Sequence, residues 1–154
     1  MPSYTAPIKD FQFVLHDVLK LESHIDLPGF SDVSRDTVDA ILEELGKFTS
    51  EVLQPLNQIG DREGCKLENG VVRTPPGFRE AYQKYCEAGW GGLTGDPEYG
   101  GQGLPHVMGF AMAEMQSAAN MAFAMYPGLT HGAYEALHRH GSDEQKRTYL
   151  PKML

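Results

Sequence analysis

The 154 residues suit one domain, and a 41% apolar share with 10% aromatics is enough for a core of moderate size. Thirteen basic against twenty-one acidic side chains leave a net charge of −8, which argues against nucleic acid or an anionic membrane as the main partner. Two cysteines, Cys65 and Cys86, cannot form a disulfide scaffold, and no apolar run approaches a membrane span. The opening MPSYTAPIKD lacks the basic and apolar regions of a secretion signal, so the expectation is a soluble cytoplasmic chain without an integral membrane segment.

Helical periodicity dominates the chain. Ile8, Phe11, Leu15, Val18 and Leu19 share one face of a segment opened by Pro7, which predicts an amphipathic helix over roughly residues 8–21. Residues 22–33, with Pro28-Gly29, read as a loop. Ser34 is a plausible N-cap for a long helix with a stripe running from Val38 through Leu42, Leu45 and Phe48 to Leu56. Pro55 should kink or terminate that helix. Asn69-Gly70, flanked by Lys66-Leu67 and Val71-Val72, is the strongest hairpin signal. Thr74 with Pro75 predicts the start of another helix carrying Phe78, Tyr82, Tyr85 and Cys86 on one side.

Residues 89–105 hold seven glycines with Trp90 and Tyr99, and read as a packed loop. From His106 to about Met125 the sequence predicts a helix apolar nearly all round, hence buried on several sides, with Pro127-Gly128 breaking it. A further helix is expected from about Thr130 to His140, stopped by Gly141. Ser142 and Gln145 then form a capping box for the last one. The fold class is all-α with at most one small β-hairpin.

Few residues invite chemistry. Gly101 and Gly103 supply two glycines of a dinucleotide fingerprint, but His106 occupies the third position and no strand–helix–strand pattern surrounds them, so the loop reads as structural. His131, His138 and His140 do not stand at i, i+4 spacing, and no neighbouring acid cluster completes a set, which favours ordinary surface histidines and no metal. Five methionines, Met108, Met112, Met115, Met121 and Met125, lie in one helix; they are either plain core or the wall of a pocket for an aliphatic chain. Ala118, Ala119, Ala122 and Ala124 leave space beside that helix. No nucleophilic triad is visible, and Glu43-Glu44 belong to a solvated face.

Three stretches together carry a resemblance. GWGGLTGDPEYGGQGLP (89–105), HGSDEQKRTYLPKML (140–154) and LQPLNQIGDREG (53–64) resemble the glycine loop, the closing helix and the end of the first long helix of the N-terminal domain of acyl-CoA dehydrogenases. The resemblance covers residues 34–154 as the N-terminal α domain. Residues 1–33 form an extension similar to that of a large-subunit subgroup which includes enzymes like 3-methylmercaptopropionyl-CoA dehydrogenase.

The resemblance implies an FAD-dependent oxidation of acyl-CoA to trans-2-enoyl-CoA. In that chemistry a glutamate takes the α-proton while the flavin takes the β-hydrogen as hydride. It also implies electron transfer to an electron-transferring flavoprotein and assembly as a homo-oligomer. The chain stops at Leu154, where the family's middle β domain would begin, so the expectation is an inactive fragment that does not itself bind FAD. No residue inherits the catalytic glutamate, and neither Glu114 nor Glu135 is assigned to it. Matching the flanking motifs without gaps puts Ala124, Met125 and Gly128 on the acyl-chain pocket wall, with Met121 and Gly132 as neighbours. The alternatives are a stand-alone helical binding module without flavin, or a related flavoenzyme such as an acyl-CoA oxidase.

Overall fold

The computed structural model describes residues 3–27, 29–30 and 33–154. Pro7 opens α1 (Ile8–Gln12), which widens into a π turn over Phe13–Val18 and stops where Lys20 turns left-handed at φ 51°. Leu21–His24 then forms a 3-10 turn across the end of the expected helix and the start of the expected loop, and Pro28 of that loop lies outside the described residues. Ser34 caps α2 (Arg35–Lys47) as its sequence predicts, its hydroxyl accepting from the Thr37 N–H at 3.1 Å. Helices α1 and α2 meet at Gly46, where a Cβ would come within 2.7 Å of Ile8 Cδ1, so glycine permits the close approach.

Pro55 does not end the long helix. After α2 the chain takes a π turn over Phe48–Leu53, in which the buried Thr49 hydroxyl lies 2.9 Å from the Leu45 carbonyl and 3.1 Å from that of Gly46. The turn resets the hydrogen-bond register. Pro55 therefore falls in the first turn of α3 (Gln54–Glu63), where its missing N–H is not needed.

The expected hairpin forms from β1 (Lys66–Glu68) and β2 (Val71–Arg73), antiparallel with Leu67 opposite Val72. Asn69 and Gly70 both have positive φ, as a tight two-residue hairpin turn requires. Helix α4 (Phe78–Glu87) starts later than Thr74, after a left-handed Gly77. It buries Phe78, Ala81 and Tyr85; Tyr82 and Cys86, expected on the same side, are exposed, but the Tyr82 ring stacks on Tyr85 at 6.0 Å.

The largest departure concerns α5 (His106–His140). Pro127-Gly128 does not break it; the break is at Asn120, whose φ of −159° and ψ of 91° are not helical. The two halves fold back on each other, bringing the rings of His106 and His131 to 6.3 Å between centroids. Nor is this helix buried on several sides: Met108, Met115, Ala119 and Phe123 enter the core, while Phe110 and Leu129 are 74% and 76% exposed. Helix α6 (Asp143–Tyr149) carries both hydrogen bonds of the expected capping box.

One core joins these elements. Leu42, Leu45 and Leu53 of the long helical stretch meet Leu93, Met108, Met115 and Phe123. Phe48, Tyr85, Trp90 and Phe123 pack as an aromatic group, with Phe48 6.4 Å from each of the others. Leu15 and Leu21 from the first thirty residues belong to the same core. Among the described residues, no helix is long and apolar enough to cross a membrane.

Candidate functional site

The fold-back of α5 leaves a cavity of about 250 Å³ between its halves. The first half contributes Gly109, Phe110, Met112 and Ala113, and the second Ala124, Pro127 and Gly128. Helix α4 closes one side with Tyr82 and Tyr85, next to Trp90 and the C-terminal Met153 and Leu154. Burial, with Tyr82 and Cys86 adding to it, pushes the Tyr85 phenol well above its ordinary range, so it stays neutral. The walls are mainly apolar, with Gln116 and Ser117 toward the kink and His106 and His131 at the opposite end. Trp90 Nε1 and Gln116 Nε2 are buried without a hydrogen-bond partner among the described residues. Orphaned donors of that kind cost about 1–3 kcal/mol each, so an acceptor brought beside them would be favoured.

The five expected wall residues divide in two. Ala124 and Gly128 line the cavity, and a Cβ at Gly128 would meet nothing within 4 Å. Met121, Met125 and Gly132 lie on the neighbouring exposed face of the same helix, together with Leu129. The methionines divide as well: Met108 and Met115 are core, and Met112 lines the cavity. Of the alanines, Ala119 is core, while Ala118 and Ala122 are exposed. Tyr85, Trp90 and Phe110 were not anticipated as lining residues. Trp90 alone had a signal in the sequence, as aromatic weight in the glycine loop.

The glycine-rich loop is held by its own backbone. Gly95 N–H donates to Gly92, Gly101 N–H to Asp96, and Gly103 N–H to Gly95, while Gln102 and Leu104 donate to Gly92 and Leu93. These amides are engaged within the loop and do not form an open cradle for a phosphate. A second anchor joins the loop to α5. Asp96 N–H donates to the Tyr134 hydroxyl at 2.8 Å, and Asp96 Oδ2 lies 2.8 Å from His138 Nε2. The Glu98 N–H, then His138 and the more distant charge of Lys146, hold the Asp96 carboxyl below its usual range against the opposing effect of burial.

At the end of the cavity away from the kink, potential ligand atoms of His106, His131 and Glu135 all lie within 4.8 Å of one another. Sequence spacing among His131, His138 and His140 did not reveal this group, because His106 arrives through the fold-back. Glu114 is exposed, and Glu135 Oε2 accepts from Arg139 Nε at 3.2 Å.

Comparison with known proteins gives this geometry its context. A family model described as "Acyl-CoA dehydrogenase, N-terminal domain" matches residues 35–154. The chain is 41% identical over 152 residues to 3-methylmercaptopropionyl-CoA dehydrogenase of Ruegeria pomeroyi, covering 99% of this chain and 26% of that protein. It is 33% identical to a butyryl-CoA dehydrogenase of Syntrophomonas wolfei, covering 98% of this chain and 25% of the relative. A broad-specificity linear acyl-CoA dehydrogenase of Mycobacterium tuberculosis is 29% identical, over 96% of this chain and 24% of its own length. The chain thus spans about a quarter of the length of these curated relatives. With a family match across most of its length and an all-α fold bearing one small hairpin, the chain belongs to the acyl-CoA dehydrogenase family.

Proposed function

We propose that this chain supplies the helical N-terminal domain of an FAD-dependent acyl-CoA dehydrogenase that oxidises acyl-CoA to trans-2-enoyl-CoA. Its own part is one wall of the acyl-chain pocket. The observation that carries this reading is the apolar cavity between the halves of α5, which Ala124 and Gly128 line. An aliphatic tail gains roughly 0.8 kcal/mol for each methylene it removes from water there. Small residues at 124 and 128 leave that tail its room, and Met121, Met125 and Gly132 extend the wall along the adjacent exposed face.

When bound in the parent enzyme, FAD supplies the hydride acceptor. Among the described residues the glycine loop offers no open cradle for the flavin's phosphates, because its amides already bond within the loop. No chemical step is assigned to the residues of this chain. They hold the substrate's tail and exclude water from it. On this reading the parent works in the cytoplasm as a homo-oligomer and passes its electrons to an electron-transferring flavoprotein.

Gly128→Leu in the dehydrogenase carrying this domain tests the pocket. Open space at that position means that the new side chain strains nothing locally and instead fills the cavity. Overpacking of about 1–3 kcal/mol, or roughly 5–150-fold, should appear in kcat/KM for long acyl-CoA substrates and be small for short ones. Equal loss at all chain lengths would remove Gly128 from the wall. The 154-residue polypeptide alone should purify colourless and reduce no dye with acyl-CoA; flavin absorbance or turnover would overturn that part of the reading.

A further inference from the structure

We propose that His106, His131 and Glu135 form a binding site for a borderline-soft divalent metal ion such as zinc, at the end of the α5 cavity away from the kink. The three side chains come from separate positions that the fold converges. His131 and Glu135 stand at i, i+4 on the second half of α5, hence on one helical face. His106 is the first residue of the first half and is carried opposite them by the fold-back at Asn120. Their candidate ligand atoms lie within 4.8 Å of one another, and the two imidazole rings are 6.3 Å apart.

The donor set selects the ion. Two imidazole nitrogens and one carboxylate oxygen suit zinc or cobalt, whereas magnesium and calcium prefer oxygen alone. Metal–ligand bonds of about 2 Å require the three atoms to close to roughly 3.5 Å of one another. Both histidines are exposed, so side-chain rotation can provide that closure without moving the backbone. Among the described residues Glu135 is engaged only through Oε2, by the exposed Arg139 at 3.2 Å, a contact that a metal ion readily displaces. Three protein ligands leave a fourth tetrahedral position open. His106 and His131 also line the cavity, so that position lies at the cavity's end.

Titration of the 154-residue chain with zinc by calorimetry should show one ion per chain. Cobalt(II) should give the intense visible bands of a four-coordinate ion. His106→Gln, His131→Gln and Glu135→Gln should each weaken zinc binding by at least the ~10-fold that loss of even a supporting partner costs a metal site. His140→Gln, which removes an exposed histidine of the same helix outside the group, should leave zinc binding unchanged. Far-UV circular dichroism of each variant, matched to the unsubstituted chain, separates ligand loss from unfolding. Absence of micromolar zinc binding would overturn the site. So would a His131→Gln or His106→Gln chain that binds as tightly as the unsubstituted one, or an equal loss in His140→Gln.

Discussion

The Asn120 side chain donates through Nδ2 to the Leu53 carbonyl at 3.1 Å, while its Oδ1 accepts from the Phe123 N–H at 3.1 Å. One buried residue thereby caps the second half of α5 and ties the kink to the π turn before α3. Asn120→Ala removes the cap, worth about 1 kcal/mol, and one hydrogen bond to the Leu53 carbonyl, which keeps its helical partner in α3, worth about 0.5–1.5 kcal/mol. Urea unfolding should therefore show a loss of roughly 1.5–2.5 kcal/mol, read as a lower midpoint at unchanged slope. A loss below about 1 kcal/mol would mean that the kink is held by packing alone.

Gly101 and Gly95 should respond unequally to alanine. A Cβ at Gly101 would overlap the backbone carbonyl carbon and oxygen of Gly95, whereas a Cβ at Gly95 would press mainly on the flexible end of Leu154 at 2.5 Å. Backbone cannot yield as a leucine tip can. Gly101→Ala should lower the unfolding midpoint clearly more than Gly95→Ala, by the 1–3 kcal/mol typical of overpacking. Equal midpoints would show that the loop shifts freely.

Local chemistry is what the sequence made legible. Ser34, Asn69-Gly70 and the Ser142–Gln145 pair act within a few residues of themselves, and each forms as its residue types dictate. Pro55 and Pro127 were misleading because a proline's effect depends on the hydrogen-bond register around it. The π turn over Phe48–Leu53 puts Pro55 in a first turn, and Pro127 sits in a helix anchored on either side by the buried Phe123 and Tyr134. The cavity was half legible. Ala124 and Gly128 could be placed by likeness to a family, but Tyr85, Trp90, Phe110 and Leu154 reach it through long-range packing that has no periodic signature. The His106–His131–Glu135 group was hidden for the same reason, since no local pattern marks the fold-back at Asn120.

His16 should govern how firmly the first thirty residues hold to α2. Its side chain is fully buried between the carboxylates of Glu22 and Asp39, with Nε2 2.9 Å from Asp39 Oδ1. Gln12 donates to the same Asp39 oxygen at 2.9 Å. Burial alone would raise the Asp39 carboxyl, but these hydrogen bonds and the charges of His16 and Arg35 outweigh it and hold the group below its ordinary range. His16→Ala removes the shared partner of two partly exposed carboxylates and leaves a void where a buried side chain packed, at a cost of roughly 1–3 kcal/mol. Limited proteolysis should then cut preferentially before residue 28. An unchanged digestion pattern would show that Leu15 and Leu21 hold the segment by themselves.

Acid should loosen the glycine loop through Asp96. Its carboxyl is lowered in the folded chain by the Glu98 N–H and His138, so the unfolded state binds a proton more readily. The stabilisation is therefore complete above the unfolded value of about 4 and is lost as pH falls through the lower folded value. Urea midpoints should stay level from neutrality to about pH 5 and then drop. Asp96→Asn should flatten part of that drop, the remainder belonging to Asp39, which is shifted in the same direction. An identical acid limb in Asp96→Asn would remove Asp96 from the effect.

The exposed stripe on the second half of α5 should make the isolated chain associate. Met121, Met125 and Leu129 stand at successive i, i+4 positions and are 57%, 60% and 76% exposed. Phe110, on the first half, is 74% exposed. Contiguous apolar surface of this kind is seldom left open on a stable monomer. Sedimentation velocity should show concentration-dependent self-association of the 154-residue chain. Met125→Lys with Leu129→Lys should shift it toward monomer without lowering the unfolding midpoint, since neither side chain enters the core. A chain that sediments as a monomer at every concentration would show that this stripe tolerates water.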